Sequence, residues 1–141
     1  MAFNNYYLKF KNGNTTKTFP LSWMMIDTLE IRPKIVMDLD PYYDSTGLLH
    51  RNVVEHTSAS IKFSTPPLPM SEKEEVMTFL QSIYTDAKAR DCTVQYYNDE
   101  TGTYSDWVSC YMAEPKFRPK EKNGSTGEIL YNPIELEFIQ Y

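Results

Sequence analysis

Three aspartates, Asp38, Asp40 and Asp44, stand close together in a stretch that also contains Pro41 and Gly47. Clustered carboxylates suit calcium, because hard cations bind oxygen ligands. The stretch nevertheless lacks the third acid at the required step, the central glycine and the distal glutamate of a calcium-binding loop. Aspartate and proline together are also typical of turns. The sequence therefore favours a turn here and predicts no metal site.

A group of acid, base and cation follows, formed by His50, Arg51, Glu55 and His56. In a strand the two histidines would share one face and the other two residues the opposite face, which fits charge pairing without catalysis. A histidine base also needs a nucleophile and an orienting partner, and the chain contains no Gly-x-Ser-x-Gly motif. It contains no glycine-rich phosphate loop either. We therefore expect a protein that is not an enzyme, with no catalytic residues and no cofactor.

The two cysteines, Cys92 and Cys110, are too few and too widely spaced for a zinc ribbon or a disulfide framework. They fall on the two arms of a predicted hairpin whose loop is centred near Glu100. Counting back from that loop places residue 92 opposite residue 108, so that the two sulfurs are about two residues out of step. We expect two buried thiols, the usual state in a protein made in the cytosol.

Residues 70–89 provide the clearest signal for an element, an amphipathic helix of about four turns. Apolar side chains recur there at intervals of three and four, which forms one stripe along a helix. The stripe consists of Val76, Leu80, Ile83 and Ala87. Ser71 and Glu74 have the spacing of a capping box at the helix start. Because the rest of the chain is predicted to form strands and turns, the stripe is expected to cover a sheet.

Two hairpins are predicted, one on each side of this helix. The first joins strands near residues 6–10 and 18–19 through Asn-Gly at 12–13, a dipeptide typical of tight hairpin turns. The second joins residues 93–97 to residues 103–112 across a short loop that contains glycine. These patterns indicate a mainly β protein.

Further strands are expected at residues 29–38, 48–63 and 128–141, and residues 21–26 are interpreted as a strand or the entry to one. Pro33 places the strand 29–38 at a sheet edge or a bulge, because proline cannot donate to the hydrogen-bond ladder. The expected organisation is a single domain with an N-terminal hairpin and a core that contains the helix.

Length and charge limit the classes of function. A chain of 141 residues suits one domain with its own core. A net charge of −5, with 14 scattered Lys and Arg residues, disfavours sequence-specific nucleic-acid binding. An acidic wall would still suit passive contact with translocating DNA, because it does not trap phosphate. No export signal follows Met1 and no apolar run reaches the ~18 residues of a membrane span, so we expect cytosolic synthesis and no membrane insertion.

Several positions match a known group of proteins. They are Trp23, the turn 47–51, the helix start with Leu68, Ser71, Glu72 and Glu75, and the segment 93–102. On these residues the sequence resembles a family of small uncharacterised proteins encoded in the tail gene clusters of tailed phages and prophages, over roughly residues 21–141. The hairpin of that family has Asp-Pro where this chain has Asn98 and Asp99.

The resemblance implies a virion component with the tail-tube or distal-tail type of fold. In that fold an antiparallel β-sandwich or barrel carries one flanking α-helix, here about residues 71–89. The division implied is an N-terminal hairpin, residues 1–20, and a sandwich core, residues 21–141. No catalytic, cofactor-binding or metal-binding residue follows from the match.

The same resemblance implies a structural tail protein that assembles into a ring of about six copies at the distal tail or along the tube. Its partners would be further copies of itself and neighbouring tail proteins, and its location the virion tail after synthesis in the host cytoplasm. The alternatives are a head–tail connector, a tail-tip enzyme and a monomeric host-directed binding protein.

A ring subunit presents two different surfaces to its neighbours, because head-to-tail contacts join unlike faces. Two oppositely charged segments, residues 38–47 and 115–127, have suitable composition. The candidate interface residues are Asp38, Asp40, Tyr42, Tyr43, Asp44, Lys116, Arg118, Lys120 and Lys122. We expect both segments to be loops that are mobile in an isolated subunit and ordered in the assembly, with a salt-sensitive contact. The alternative is that both loops remain solvated.

Overall fold

The structure is a computed structural model that describes residues 3–36, 41–52 and 58–141. Its strands are β1 (Leu8–Asn12), β2 (Thr15–Thr18), β3 (Glu30–Ile35), β4 (Tyr42–Tyr43), β5 (Leu49–His50), β6 (Ser58–Ser64), β7 (Leu68–Pro69), β8 (Asp91–Asn98), β9 (Thr103–Tyr104), β10 (Val108–Met112), β11 (Pro119–Lys122), β12 (Ile129–Tyr131) and β13 (Glu135–Gln140). The helix α1 (Met70–Ile83) lies between β7 and β8. The described residues thus form a mainly β fold with one α-helix, as predicted.

The main sheet is antiparallel and has the order β2-β1-β8-β10-β13-β6-β3, with β9 added beside β8. It is open, with β2 and β3 at its two ends, so its described strands form no closed barrel. The terminal strand β3 contains a register shift between Arg32 and Ile35. The prediction that Pro33 marks an edge strand or bulge is therefore confirmed, because a terminal strand needs no donor on its outer side.

The sheet curls around a single core. Neighbouring strands lie about 4.8 Å apart, so in a flat sheet β1 and β13, three steps apart, would be separated by about 14 Å. The ring centroids of Phe10 on β1 and Phe138 on β13 are nevertheless only 5.2 Å apart. Tyr96 on β8 also reaches across the interior, where its hydroxyl donates to the Pro33 carbonyl oxygen at 3.4 Å. Side chains from distant strands thus meet in one apolar interior.

Helix α1 covers this interior with the predicted face. Val76, Leu80 and Ile83 are all buried. Between them Phe79 extends the contact, with its ring centroid 6.0 Å from that of Phe10. The prediction that the apolar stripe covers a sheet is confirmed for these three residues, whereas Ala87, the fourth predicted member, lies beyond the end of the helix and is exposed.

The helix begins at Met70, as predicted, but its predicted cap and its predicted end are wrong. At the start, Pro69 occupies the N-cap position with no side-chain cap, and the Ser71 amide donates instead to Glu128 Oε1 at 3.3 Å. At the other end the helix stops at Ile83 rather than near residue 89. Asp86 explains the early stop, because its Oδ1 accepts the Lys88 amide and its carbonyl oxygen accepts the Asp91 amide. An aspartate that satisfies nearby amides in this way favours a turn over a further helical turn.

The first hairpin is confirmed, with β1 paired to β2 and Gly13 at φ +62°. The second hairpin is also confirmed, but its predicted register is wrong. Tyr97 pairs with Tyr104 whereas Val94 pairs with Val108, so one extra residue lies between β9 and β10. This irregularity, together with a loop centred slightly later than predicted, places Cys110 directly opposite Cys92. Both cysteines are free and buried, as predicted.

Two smaller sheets correct other predictions. The segment 115–127 is not a loop throughout, because β11 within it pairs with β12, which pairs in turn with β7. The apolar run 21–26 forms short 3₁₀ turns rather than a strand. The predicted strands 48–63 and 128–141 are each divided in two, with β4 and β5 forming a separate two-stranded sheet. No helix among the described residues combines the length and apolarity that crossing a membrane requires.

Candidate subunit interface

The first candidate segment forms a small hairpin, which we call the outer hairpin and define as residues 41–52. Its two strands pair Tyr42 with His50 and Tyr43 with Leu49. Tyr42 and Tyr43 are exposed, by 55% and 71% respectively. Two of the candidate residues, Asp38 and Asp40, lie outside the described residues.

Asp44 holds the turn of the outer hairpin together. Its Oδ1 accepts the Thr46 amide at 2.9 Å, the Thr46 hydroxyl at 2.6 Å and the Leu48 amide at 3.0 Å. Hydrogen bonds to Thr46, His50 and Leu48 lower the pKa of the Asp44 carboxyl to about 2, because they favour its charged form. Its oxygens therefore bind the hairpin itself, which limits what they can offer a neighbouring copy.

His50 also helps to hold the outer hairpin together. Its Nε2 lies 2.8 Å from Asp44 Oδ2, and its ring stacks on Tyr42 with 4.8 Å between centroids and 9° between planes. This pairing connects the start and the end of the outer hairpin. Of the other members of the predicted acid and base group, Arg51 belongs to the described residues, whereas Glu55 and His56 lie outside them.

Two leucines that the sequence analysis did not select complete the hairpin surface. Leu48 is 62% exposed and Leu49 is 43% exposed, beside the two tyrosines. Apolar side chains exposed together in this way mark binding surfaces more often than scattered ones do. A signal was available in the sequence, since Leu48 and Leu49 follow the turn residues Asp44 to Gly47 directly and so share a short hairpin with Tyr42 and Tyr43.

The basic segment has two distinct parts. Lys120 and Lys122 are exposed on β11. Lys116 and Arg118 instead line a groove of 480 Å³ that also contains carboxylates, among them Glu137. The positive charge of this second pair is therefore partly balanced within the same chain. The outer hairpin and the basic segment belong to separate sheets, and each keeps its own partners.

A second groove, of 530 Å³, lies between the helix and the segment that follows β10, and we call it the helix groove. Its lining includes Met77, Gln81, Tyr84, Arg90, Met112 and Phe117. Within it the Tyr84 hydroxyl donates to Met112 Sδ at 3.7 Å. Burial raises the pKa of Tyr84, so this hydroxyl stays protonated. Phe117 remains 43% exposed, so apolar surface is open to a partner here.

Sequence analysis missed the helix groove because its walls come from distant parts of the chain. The helix supplies Met77, whereas Phe117 comes 40 positions later and lies next to Tyr131, at 6.4 Å between ring centroids. Lys73 on the helix places its Nζ 5.2 Å from the Tyr131 ring centroid. Only the packed structure brings these residues together.

Comparison with solved structures places the fold among known ones. The chain is similar to a chain in the tail of an empty GTA particle, computed with helical refinement in C6 symmetry. The TM-score is 0.52 at 13% sequence identity, and the match covers 99% of this chain and 95% of that chain. At this identity the likeness shows a shared fold.

Comparison at the sequence level gives the family. None of the curated proteins that were compared with the chain matches it. The model of one family matches from the first residue to the last, residues 1–141, and its description is a family of unknown function, DUF6711. A match over the whole length leaves no part of the fold described above outside the family, and the chain therefore belongs to DUF6711.

Proposed function

We propose that this protein is a structural component of a phage-like tail and that its copies assemble into a ring at the distal tail or along the tube. The observation that carries the proposal is the likeness to a tail protein over nearly the whole of both chains. A likeness of that extent covers the sheet, the helix and the small sheets together rather than one common motif. The C6 symmetry of that tail supports a ring of six copies.

The described surface supports assembly rather than chemistry. The acid and base that pair at 2.8 Å, Asp44 and His50, are used to fix a hairpin. The two thiols are buried in the core. Exposed apolar side chains, by contrast, are concentrated on the outer hairpin. We propose that the protein has no catalytic role and that its partners are further copies and neighbouring tail proteins in the virion.

The test is the composition of purified particles from the phage or prophage that encodes the chain. Quantitative mass spectrometry should find the protein in the particles, in a copy number that is a multiple of six. Deletion of its gene should give particles with absent or incomplete tails, and supplying the unaltered gene in trans should restore them. Normal tails in particles that lack the protein would overturn the proposal.

The position along the particle requires a second measurement. Electron microscopy with a gold-labelled antibody should place the label on the tail tube or at the distal tail. A label confined to the junction between head and tail would instead support the head–tail connector. A protein that acts on the host as a monomer would be absent from the particles.

A further inference from the structure

We infer that the outer hairpin of one copy docks into the helix groove of the next copy. The inference rests on the proposed function and deepens it, because it names the two surfaces through which copies of this chain contact one another. Both surfaces belong to the described part of the chain. Both are apolar, so the contact differs in kind from the charge pairing that the sequence suggests.

The outer hairpin exposes apolar side chains of the kind that a neighbouring subunit can bury. Tyr42, Tyr43, Leu48 and Leu49 are half of the large hydrophobic residues found exposed among the described residues. Aromatic side chains bury about 150–250 Å² each, so two tyrosines and two leucines that are 43–71% exposed offer on the order of 400 Å². A standard interface buries about 800 Å² on each partner. The hairpin can therefore supply about half of such an interface, with the rest contributed by its surroundings.

The helix groove has matching chemistry. Met77 supplies a flexible thioether, which adapts to irregular apolar partners, and Met112 lines the groove as a buried side chain. Phe117 adds an aromatic face at the open side of the groove. Arg90 brings one guanidinium into these apolar surroundings, and a tyrosine ring is a favourable partner for a guanidinium. Tyrosine and leucine side chains thus fit this groove better than charged side chains do.

The order and direction of the strands separate the outer hairpin from the helix groove. The chain leaves the main sheet at Ile35 and returns at Ser58, which are paired neighbours, so the outer hairpin precedes β6. Strands β6 and β10 run in the same direction because each is antiparallel to β13. The helix groove lies where β10 ends, at Met112, and in the segment beyond it. The two surfaces therefore occur at opposite ends of the sheet.

Surfaces at opposite ends of one subunit join unlike faces of neighbouring copies. Such a head-to-tail contact either closes into a ring or continues as a filament, depending on the rotation between copies. Both outcomes suit a tail, in which subunits repeat around an axis and along it. One surface without the other would allow only a single contact, and this gives a direct test.

The test uses three variants, each altered at one of the two surfaces. The hairpin variant carries Tyr43→Ser and Leu48→Ser, and the groove variant carries Phe117→Ser. A second groove variant, Gln81→Arg, keeps the apolar lining but adds a charge on the exposed helix face. The control is Ile26→Ser, which removes an apolar side chain that is 48% exposed elsewhere on the chain. Thermal melts by circular dichroism check that each variant is folded.

Sedimentation velocity and light scattering across a concentration series provide the result. The unaltered chain and the control should assemble alike, and each hairpin or groove variant alone should remain monomeric. An equal mixture of the hairpin variant and either groove variant should form dimers and nothing larger, because one intact hairpin meets one intact groove. The apolar contact should also persist in 1 M salt, where exposed charge pairs are screened.

Several results would overturn the inference. They are single variants that assemble as the unaltered chain does, a mixture that stays monomeric, and an unaltered chain that stays monomeric at every concentration. The last result would assign the hairpin to a different tail protein. None of these results affects the presence of the protein in particles, so failure of this inference is distinguishable from failure of the proposed function.

Discussion

A single carboxylate determines the shape of the outer hairpin. Asp44 binds the Thr46 amide and hydroxyl, the Leu48 amide and the His50 ring. These contacts require the chain to reverse sharply, which Gly47 permits with φ +86°. This turn places Tyr43 and Leu48 on an exposed surface. The chemistry of one aspartate is thus connected to the surface that we propose as an interface.

The state of Asp44 can be measured by titration. Its pKa is lowered from the ordinary 3.8 to about 2, first by the Thr46 hydroxyl and then by His50. Because the pKa is lower in the folded chain, these bonds stabilise the hairpin above about pH 4, and that stabilisation is lost as the pH falls through 2. NMR titration of the Asp44 carboxyl carbon should therefore give a midpoint near 2.

Two variants control this titration. Thr46→Val should raise the midpoint toward 3.8, because it removes the strongest of the hydrogen bonds to the carboxylate. Ser45→Ala, which changes the neighbouring hydroxyl, should leave the midpoint where it is. A midpoint at 3.8 in the unaltered protein would contradict the arrangement described for the turn.

Among the elements, the helix α1 shows a packed face that could be predicted from local pattern. Val76, Leu80 and Ile83 have helical spacing, and all three are buried. Leu80→Ala should lower the free energy of unfolding by about 2–5 kcal/mol, because it leaves a cavity in a packed core. Urea denaturation measures the change, and Glu75→Ala on the exposed face should change it by less than about 0.5 kcal/mol. An unchanged midpoint for Leu80→Ala would refute the packing of this face.

The cysteine pair allows a second test at this scale. Burial raises the pKa of both thiols, that of Cys110 to about 12, and the neighbouring thiol adds to the effect on Cys92. We expect neither thiol to react with an aromatic disulfide reagent in the native protein and both to react in denaturant, because the thiolate is the reactive form. Thr16→Cys, on the exposed strand β2, serves as the positive control and should react at once. Rapid reaction of both thiols in the native protein would contradict their burial.

How far the sequence predicts these elements depends on the range of the interactions. The hairpin at Gly13 was predictable because Asn-Gly acts within a few residues. The end of the helix was not, because it depends on the turn that Asp86 forms with the start of β8. The strand β11 was missed because it belongs to a small sheet that also contains β7. The strand β7 is far from β11 in the sequence. Local pattern thus gives the faces of elements more reliably than their ends or their distant partners.

The same distinction applies to the candidate interface. Tyr42 and Tyr43 were selected from composition, and the structure places them in the open. Asp44 was selected as a charge for a neighbouring copy, but its oxygens bind its own hairpin. Leu48 and Leu49 were not selected, although their position directly after the turn was a signal that the sequence contained. The interface role of the selected residues stays a prediction.

At the scale of the whole molecule, the fold separates its two apolar surfaces. A curled sheet closed on one side by α1 leaves the outer hairpin at one end and the helix groove at the other. A contact that buries on the order of 400 Å² of the hairpin is weak alone compared with a standard interface. In a ring the same contact is repeated between every pair of neighbouring copies. Each contact that forms raises the effective concentration for the next one. This arrangement suits a subunit that is soluble when dilute and stable when assembled.

The central claim, that the chain is a ring-forming subunit of a tail, is tested most directly by a cryo-electron microscopy map of the tail in purified particles. We expect density for this fold, with its curled sheet and single flanking α-helix, repeated six times around the tail axis. The outer hairpin should be ordered and seated against a neighbouring copy. A map of a complete tail in which no density fits this fold, at any position along the axis, would contradict the account.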